Sequence, residues 1–569
     1  MRLVALLLAA ALAGCEGGKG SGGAASPIAF PFVDVAVERG LIFRHDDGAL
    51  GERTLPETMG GGGGFLDYDQ DGDLDIALID CGPLAEGAAR PLNRLFANDG
   101  AGRFTDVTEA SGFGDNGRGM GLAVGDIDND GDPDVYVTNF GENVLLVNRG
   151  DGTFARATPE AARIPTWSVS ATFLDHDRDG ALDLYVVSYL DVTLATHRRC
   201  ERGELHVYCS PRDYPPEEDH LLRGDGRGGF TDISAESGIR VDPPGRGLGV
   251  LATDFDDDGD DDLYVANDMD LNFLFVNSLE SGSARFREDA VLLGCAASED
   301  GRPEAGMGVD SGDFDGDGDF DLVVTNFEEQ TNSIYRNDGG AAFTESSYHV
   351  GLGAVSLPFL GFGVRFFDHD LDGDLDLYVA NGHVFDNAAE MRQGSLHAQA
   401  DQLFENRGGK FVDVLAPAVA AGAVPALVGR AAASGDIDDD GDLDLLVVNN
   451  GGPAMLLENR ASRDPPRLGL RLEGTPPSNR DAYGAKVTIE SSGTGGAPPL
   501  RQVFEVRAGS SYLASHDPRI VAAVPGAESA RVAIRWPSGR TETLEAVPAG
   551  AYHHIVEGEG IRASRPFRR

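Results

Sequence analysis

Short runs of alternating apolar and polar residues recur through most of the chain. The clearest are Leu74–Ile79, Val135–Val137, Leu182–Val187, Leu263–Val265, Leu322–Val324, Leu375–Val379 and Leu443–Val448. A period near two in segments rich in Val, Leu and Tyr reads as β-strand. Each run follows a Gly-rich apolar stretch such as Gly119–Gly125. Each leads to a strand such as Leu95–Asn98, Leu145–Asn148, Leu274–Asn277 or Leu403–Asn406. A turn and a fourth short strand close the unit, as in Arg103–Val107 and Gly229–Ile233. The pattern predicts four strands per unit and an all-β fold.

The units are in register. Asp-x-Asp-x-Asp-Gly-x-x-Asp begins at Asp67, Asp126, Asp175, Asp254, Asp313, Asp368 and Asp436, at intervals of 59, 49, 79, 59, 55 and 68 residues. Four-stranded units at such intervals are propeller blades, so residues 30–460 are expected to form seven of them, with the acidic loop between strands one and two. The seventh unit has a third strand, Ala454–Asn459, and no fourth. A spare copy of the fourth-strand pattern lies at residues 31–35, ahead of the first blade. It is expected to pair with blade seven and close the ring, which removes two exposed sheet edges. Residues 190–217 and 381–400 are insertions, and long insertions on such a scaffold more often carry function than fill space.

The chain has 569 residues and a formal net charge of −48, and 37 Asp sit inside the seven nine-residue loops. Carboxylates that dense repel one another unless a counter-ion joins them. Nucleic acid is excluded as a partner, since no basic stripe is present to replace its counter-ions. A hard divalent cation fits, and Ca²⁺, up to seven ions, is the expected cofactor. Calcium takes six to eight oxygens, which alternate Asp residues supply. The expected ligands are Asp67, Asp69, Asp71, Asp73 and Asp75; Asp126, Asp128, Asp130, Asp132 and Asp134; and Asp175, Asp177, Asp179, Ala181 and Asp183. The later loops offer Asp254, Asp256, Asp258, Asp260 and Asp262; Asp313, Asp315, Asp317, Asp319 and Asp321; Asp368, Asp370, Asp372, Asp374 and Asp376; and Asp436, Asp438, Asp440, Asp442 and Asp444. Position seven contributes its carbonyl, so Ala181 suits it. Gly at position six permits the sharp turn. An EF-hand needs Glu at position twelve and flanking helices. Position twelve here is Leu78, Val137, Val186, Val265, Val324, Val379 or Val447, followed by strand, so that reading fails.

Arg2 precedes an apolar run, Leu3–Leu12, too short to span a bilayer. It ends in Leu12-Ala13-Gly14-Cys15, which resembles a bacterial lipobox with Cys15 as the lipidated residue. Residues 1–15 are therefore expected to be a lipoprotein signal peptide and the Gly/Ser/Ala-rich 16–29 a flexible tether. An exported lipoprotein of the outer membrane or cell surface follows, touching the membrane through its lipid alone. Of the remaining cysteines, Cys200 and Cys209 are expected to form a disulfide; whether Cys81 and Cys295 pair is open.

The seven units resemble FG-GAP/VCBS repeats, the blade type of integrin α-chain heads. Residues 479–560 resemble the ASPIC/UnbV domain through Asn479–Val487, Arg507–Ser515 and Val532–Gly539, although Ala522–Ala527 departs from that domain's Phe-Gly-Leu-Gly-like turn. The combination resembles the cartilage acidic protein family and implies an exported calcium-binding propeller with an appended β domain and no established reaction. The strands of this second domain are expected at Val487–Ile489, Gln502–Val506, Arg531–Arg535 and Thr541–Leu544, with Trp536 as packing. Residues 461–478 read as a linker and 561–569 as a basic tail.

No HExxH, GxSxG, phosphate-binding loop or dinucleotide fingerprint occurs. His45, His383, His397 and His516 are scattered. The expected function is a surface binding or adhesion module for an extracellular or envelope protein or glycan. The alternatives are a hydrolase or lyase on an exported polymer, with His383 near a channel mouth, or a structural part of an envelope assembly.

Overall fold

A computed structural model describes residues 31–84, 87, 92–280, 283–461, 466–493 and 499–568. The signal peptide, the tether and Cys15 lie outside them. Seven antiparallel sheets form the larger body, six of four strands and that of blade one with a fifth, parallel strand, Ala514–Ser515, on its inner edge, and the innermost strands of successive blades contact one another around a closed ring, blade seven meeting blade one. In blade two the strands are Gly119–Gly125, Asp134–Asn139, Val144–Asn148 and Phe154–Arg156. Blade seven combines Gly429–Gly435, Asp444–Asn449 and Met455–Asn459 with the N-terminal strand Phe32–Asp34. The register there is Phe32 opposite Asn459, Val33 opposite Glu458 and Asp34 opposite Leu457. Phe32 is buried with Phe367, Tyr378, Leu445 and Val447.

The acidic loops join strands one and two. The Asp at position nine opens strand two and pairs with the last residue of strand one, as in Leu66 opposite Asp75 and Gly125 opposite Asp134. Position six is left-handed in every loop, from Gly72 at φ 89° to Gly441 at φ 88°. Position four is left-handed as well, at Gln70, Asn129, Arg178, Asp257, Gly316, Leu371 and Asp439. Only Gly316 takes that conformation without steric cost, so the loops hold some backbone strain.

The second body consists of two four-stranded sheets over a shared core that includes Leu468, Val487, Val532, Trp536 and Ile555. One sheet orders Leu500–Glu505, Lys486–Ser491, Ser529–Arg535 and Thr541–Pro548. The other orders Ile520–Ala523, Arg467–Glu473, Ala551–Val556 and Gly560–Pro566. Two sequence boundaries are corrected by this sheet. The segment read as a linker contains strand Arg467–Glu473, whose alternating Leu468, Leu470 and Leu472 enter the core. The segment read as a tail contains most of strand Gly560–Pro566, paired along Ala551–Val556.

Candidate functional site

Each loop is built around its own carboxylates. The position-nine Asp residues are all buried, and in every blade one oxygen accepts from the amide of position two. Tyr68 N reaches Asp75 Oδ2 at 3.0 Å, and Ile127 N reaches Asp134 Oδ2 at 3.1 Å. The other oxygen accepts from the end of strand three, for instance from Asn98 N and Asn148 N, each at 2.8 Å. Position five accepts from the amide of position seven in all seven loops, from Asp73 N→Asp71 Oδ1 at 2.9 Å to Asp442 N→Asp440 Oδ1 at 3.2 Å. The loop shape is thus specified by Asp side chains gripping local backbone, as in Asx turns.

Those bonds leave oxygens over. Asp67, Asp175, Asp254 and Asp313, all at position one, each keep a buried Oδ1 with no hydrogen-bond partner, as do Asp177 and Asp370 at position three. Ligand atoms of Asp67, Asp69 and Asp71 lie within 4.8 Å of one another. The same holds for Asp126, Asp128 and Asp134, and for His176 and His369, each with two loop Asp residues. Burial pushes the carboxyls up, Asp67 and Asp313 to about 6, Asp126 to about 7, Asp75, Asp134 and Asp175 to about 8 and Asp321 to about 9. Unpaired buried oxygens converging from hard carboxylates are the donor set a calcium-sized cation takes. The residues present therefore fit that ion.

The second body covers this loop face. A methyl group added at position six of any loop would meet it, at Arg565 over Gly72, Arg480 over Gly131 and Pro477 over Gly180. Arg535 lies over Gly259, Arg501 over Gly318, Leu500 over Gly373 and Arg467 over Gly441. Ion pairs tie the seam: Arg535 to Asp254, Lys486 to Asp257 at 3.0 Å, Arg519 to Asp439 at 2.7 Å and Arg568 to Asp73 at 2.9 Å. A net-acidic ring thus meets a basic surface on its own chain.

One segment of that body, residues 508–517, enters the centre of the ring. Ala514 and Ser515 pair in parallel with Gly63 and Gly64 of blade one. Ser511 exchanges backbone bonds with Val309 of blade five at 2.6 and 3.0 Å, and its hydroxyl accepts from Val364 N of blade six at 3.0 Å. Asp517 N donates to Ser434 O of blade seven at 3.0 Å. Leu513 packs on Gly121 of blade two, where a side chain would collide with it. Fully buried Tyr512 donates to Met59 O at 2.9 Å, its ring centre 4.8 Å from that of Phe362. The segment fills the channel.

The opposite face is capped by the two insertions and residues 46–58. Arg53 pairs with Asp386 at 2.9 Å, Asn387 Nδ2 donates to His206 O at 3.1 Å, and the rings of Tyr208 and Phe385 stack at 6.0 Å. Beneath lies Arg430, wholly buried, donating to Thr58 O at 2.9 Å and Gly382 O at 3.0 Å, with its guanidinium 3.9 Å from the Phe362 ring centre. Desolvation brings its pKa down to about 10. The sequence offered no signal for this residue, since its partners are backbone carbonyls of distant segments. His383, named above for a channel mouth, is 3% exposed and held at about 4 by burial, and its Nδ1 accepts from Phe385 N at 2.9 Å. His45 is buried and lowered to about 3, and burial lowers His397 and His516 too. His45, His383 and His516 are buried and His397 is half-buried, and His516 lines the cavity at the seam between the two bodies.

Cys200 and Cys209 are disulfide-bonded, with Cα atoms 5.1 Å apart, and staple the first insertion. Cys81 and Cys295 are free thiols buried in different core clusters. They do not pair.

Comparison with known proteins agrees with this architecture. The FG-GAP-like repeat family matches residues 67–137, 126–186 and 301–379, and the family described as ASPIC and UnbV matches residues 474–562. Cartilage acidic protein 1 of Homo sapiens is 22% identical over 534 residues, covering 88% of this chain and 72% of the relative. The Mus musculus protein is 23% identical over 492 residues, covering 74% and 70%. An Agrocybe aegerita lectin structure, in recognition of non-reducing terminal N-acetylglucosamine, superposes with a TM-score of 0.38 at 16% identity, covering 62% of this chain and 79% of that one. The chain is an FG-GAP-repeat β-propeller with a C-terminal ASPIC/UnbV domain, homologous to cartilage acidic protein 1.

Proposed function

We propose that the protein is an exported, calcium-stabilised binding module whose capped face, opposite the ASPIC/UnbV domain, meets an envelope or extracellular protein or glycan. One observation carries the reading. The loop face is covered and the channel filled by the chain's own domain, so the insertions at 190–217 and 381–400, which converge on the other face, are what the ring presents. Export and lipid attachment rest on Leu12-Ala13-Gly14-Cys15.

The loop residues would hold calcium through the carboxylates of positions one, three, five and nine and the carbonyl of position seven. A bound ion would supply the positive charge that the partnerless oxygens require. Position-nine Asp residues already fix strand two to strand three, so loop order and blade order are one property. At 100 times its dissociation constant an ion adds about 2.7 kcal/mol to stability.

The test is a glycan array and an envelope pull-down in calcium. Ligand capture should fall at least tenfold in Leu50→Asp/Leu396→Asp, whose side chains are exposed on the capping segments, and hold in Leu292→Asp on the outer rim. No ligand from either screen, or loss in the rim variant alone, would overturn the assignment of the face. Co-purification at fixed stoichiometry would point to a structural envelope role instead.

A further inference from the structure

Position two of the acidic loops packs between blades. It is Tyr68, Ile127, Phe255, Phe314 or Ile437 in five of them, each buried. Loops three and six place His176 and His369 there instead, 4% and 5% exposed. The His176 ring stacks on Phe286 with centres 6.3 Å apart, and the His369 ring centre lies 6.5 Å from that of Phe32. An imidazole in so apolar a slot costs desolvation unless its nitrogens are used.

In both loops the same nitrogen turns back into the carboxylates. His369 Nδ1 lies 2.5 Å from Asp376 Oδ2, and His176 Nδ1 meets Asp183 Oδ2 in the same way. Those Asp residues are at position nine. Position three supplies a third donor. Ligand atoms of His176, Asp177 and Asp183 lie within 4.8 Å of one another, as do those of His369, Asp370 and Asp376. The Oδ1 atoms of Asp177 and Asp370 are buried with no hydrogen-bond partner among the described residues. Asp175, 5% exposed, adds a further partnerless Oδ1 to loop three. A hydrogen bond between imidazole and position nine satisfies the His and leaves these oxygens unmet.

We propose that loops three and six are zinc-class sites, held by His176, Asp177 and Asp183 and by His369, Asp370 and Asp376, while the other five loops offer oxygen alone. The proposal refines the cation-binding reading of the loops and rests on it. Calcium takes oxygen ligands, whereas imidazole suits zinc and the neighbouring first-row divalent metals. The ion takes the place of the proton that Nδ1 and the position-nine carboxylate share, and that proton leaves to solvent. His176 and His369 also accept, at their backbone carbonyls, the side-chain amides of Asn277 and Asn459 from the next blades, at 2.9 and 2.8 Å. An ion on each ring therefore bears on the joints between blades three and four and between blades six and seven.

The experiment uses the full chain, stripped with chelator, dialysed against calcium in large excess over zinc and read by elemental analysis. The parent should retain two zinc ions per chain. His176→Phe and His369→Phe, each installing the residue of loops four and five, should retain one, and the double variant none, with bound calcium undiminished. Cobalt is the second probe: its visible absorption in the parent should be halved in each single variant and lost in the double. Zinc absent from the parent, or retained unchanged in the double variant, overturns the proposal, and calcium bound in that case leaves the loop reading standing. Zinc bound without calcium supports the two sites and overturns the calcium assignment of the other loops. Neither metal bound overturns both. Should a Phe variant misfold, His176→Gln and His369→Gln decide the question.

Discussion

Asn148, at the end of the third strand of blade two, donates its side-chain amide to the carbonyl of Tyr68 in the loop of blade one, 2.8 Å away. The same bond runs from Asn98 to Ile437, Asn277 to His176, Asn337 to Phe255, Asn406 to Phe314 and Asn459 to His369, at 2.8–2.9 Å. Each Asn backbone amide also engages its own loop through the position-nine Asp. The acidic loops are thereby chained around the ring. The one interruption is at blade three, where Gly224 stands in place of Asn, and Asn129 Nδ2 bonds to Gly180 O at 3.0 Å between those blades instead.

Asn148→Ala removes that link and leaves the Tyr68 carbonyl without its buried donor, which costs about 1–3 kcal/mol. Urea denaturation should show the loss. Gly224→Asn, although it restores the repeat pattern, should also destabilise, because a Cβ there would lie 2.2 Å from Leu182 O. A stabilised Gly224→Asn would contradict the packing described.

Phe32→Ala should destabilise the whole ring by about 3–5 kcal/mol, since it empties a core position in the closing strand. Hydrogen exchange should then accelerate in blades six and seven together. Val37→Ala, at an exposed position beside it, should change neither.

Tyr512→Ala should loosen the channel segment from the ring. Calorimetry is expected to resolve two transitions, propeller and ASPIC/UnbV domain, in place of one. A single transition shifted as a unit would place the coupling in the Arg–Asp seam alone.

Without metal, stability should fall as pH rises. The folded-state values of Asp75, Asp134 and Asp175, about 8, lie above their ordinary 3.8. The folded chain therefore binds more protons than the unfolded chain between roughly pH 4 and 8, and loses that advantage as pH climbs through the window. In chelator the melting temperature should be higher at pH 5 than at pH 8. With calcium present the order should reverse, because metal ligands must be deprotonated.

The seven loops, the strands flanking them and the closing strand at Phe32–Asp34 were legible because each is a local pattern repeated at intervals. The role of residues 508–517 was not. Arg507–Ser515 stood out as a family stretch, yet its partners, Gly63, Val309 and Val364, lie on three blades that no local pattern connects to it. Strand Arg467–Glu473 was masked by the prolines preceding it, although Leu468, Leu470 and Leu472 alternate as a strand does. The left-handed backbone at position four was invisible for a similar reason: Gln70, Arg178 and Leu371 show no preference for it, and the loop imposes it. His383 read as a channel-mouth residue only while the channel was taken to be open.

Blade seven is assembled from both ends of the propeller, and Pro31 accepts a bond from Arg460 N at 2.6 Å where the two ends part. Any load pulled through residues ahead of Pro31 reaches the ring first at a seam three residue pairs long. That seam is a mechanical fuse. Under such a load the disc opens first at this joint, however firmly the other six blades are fastened.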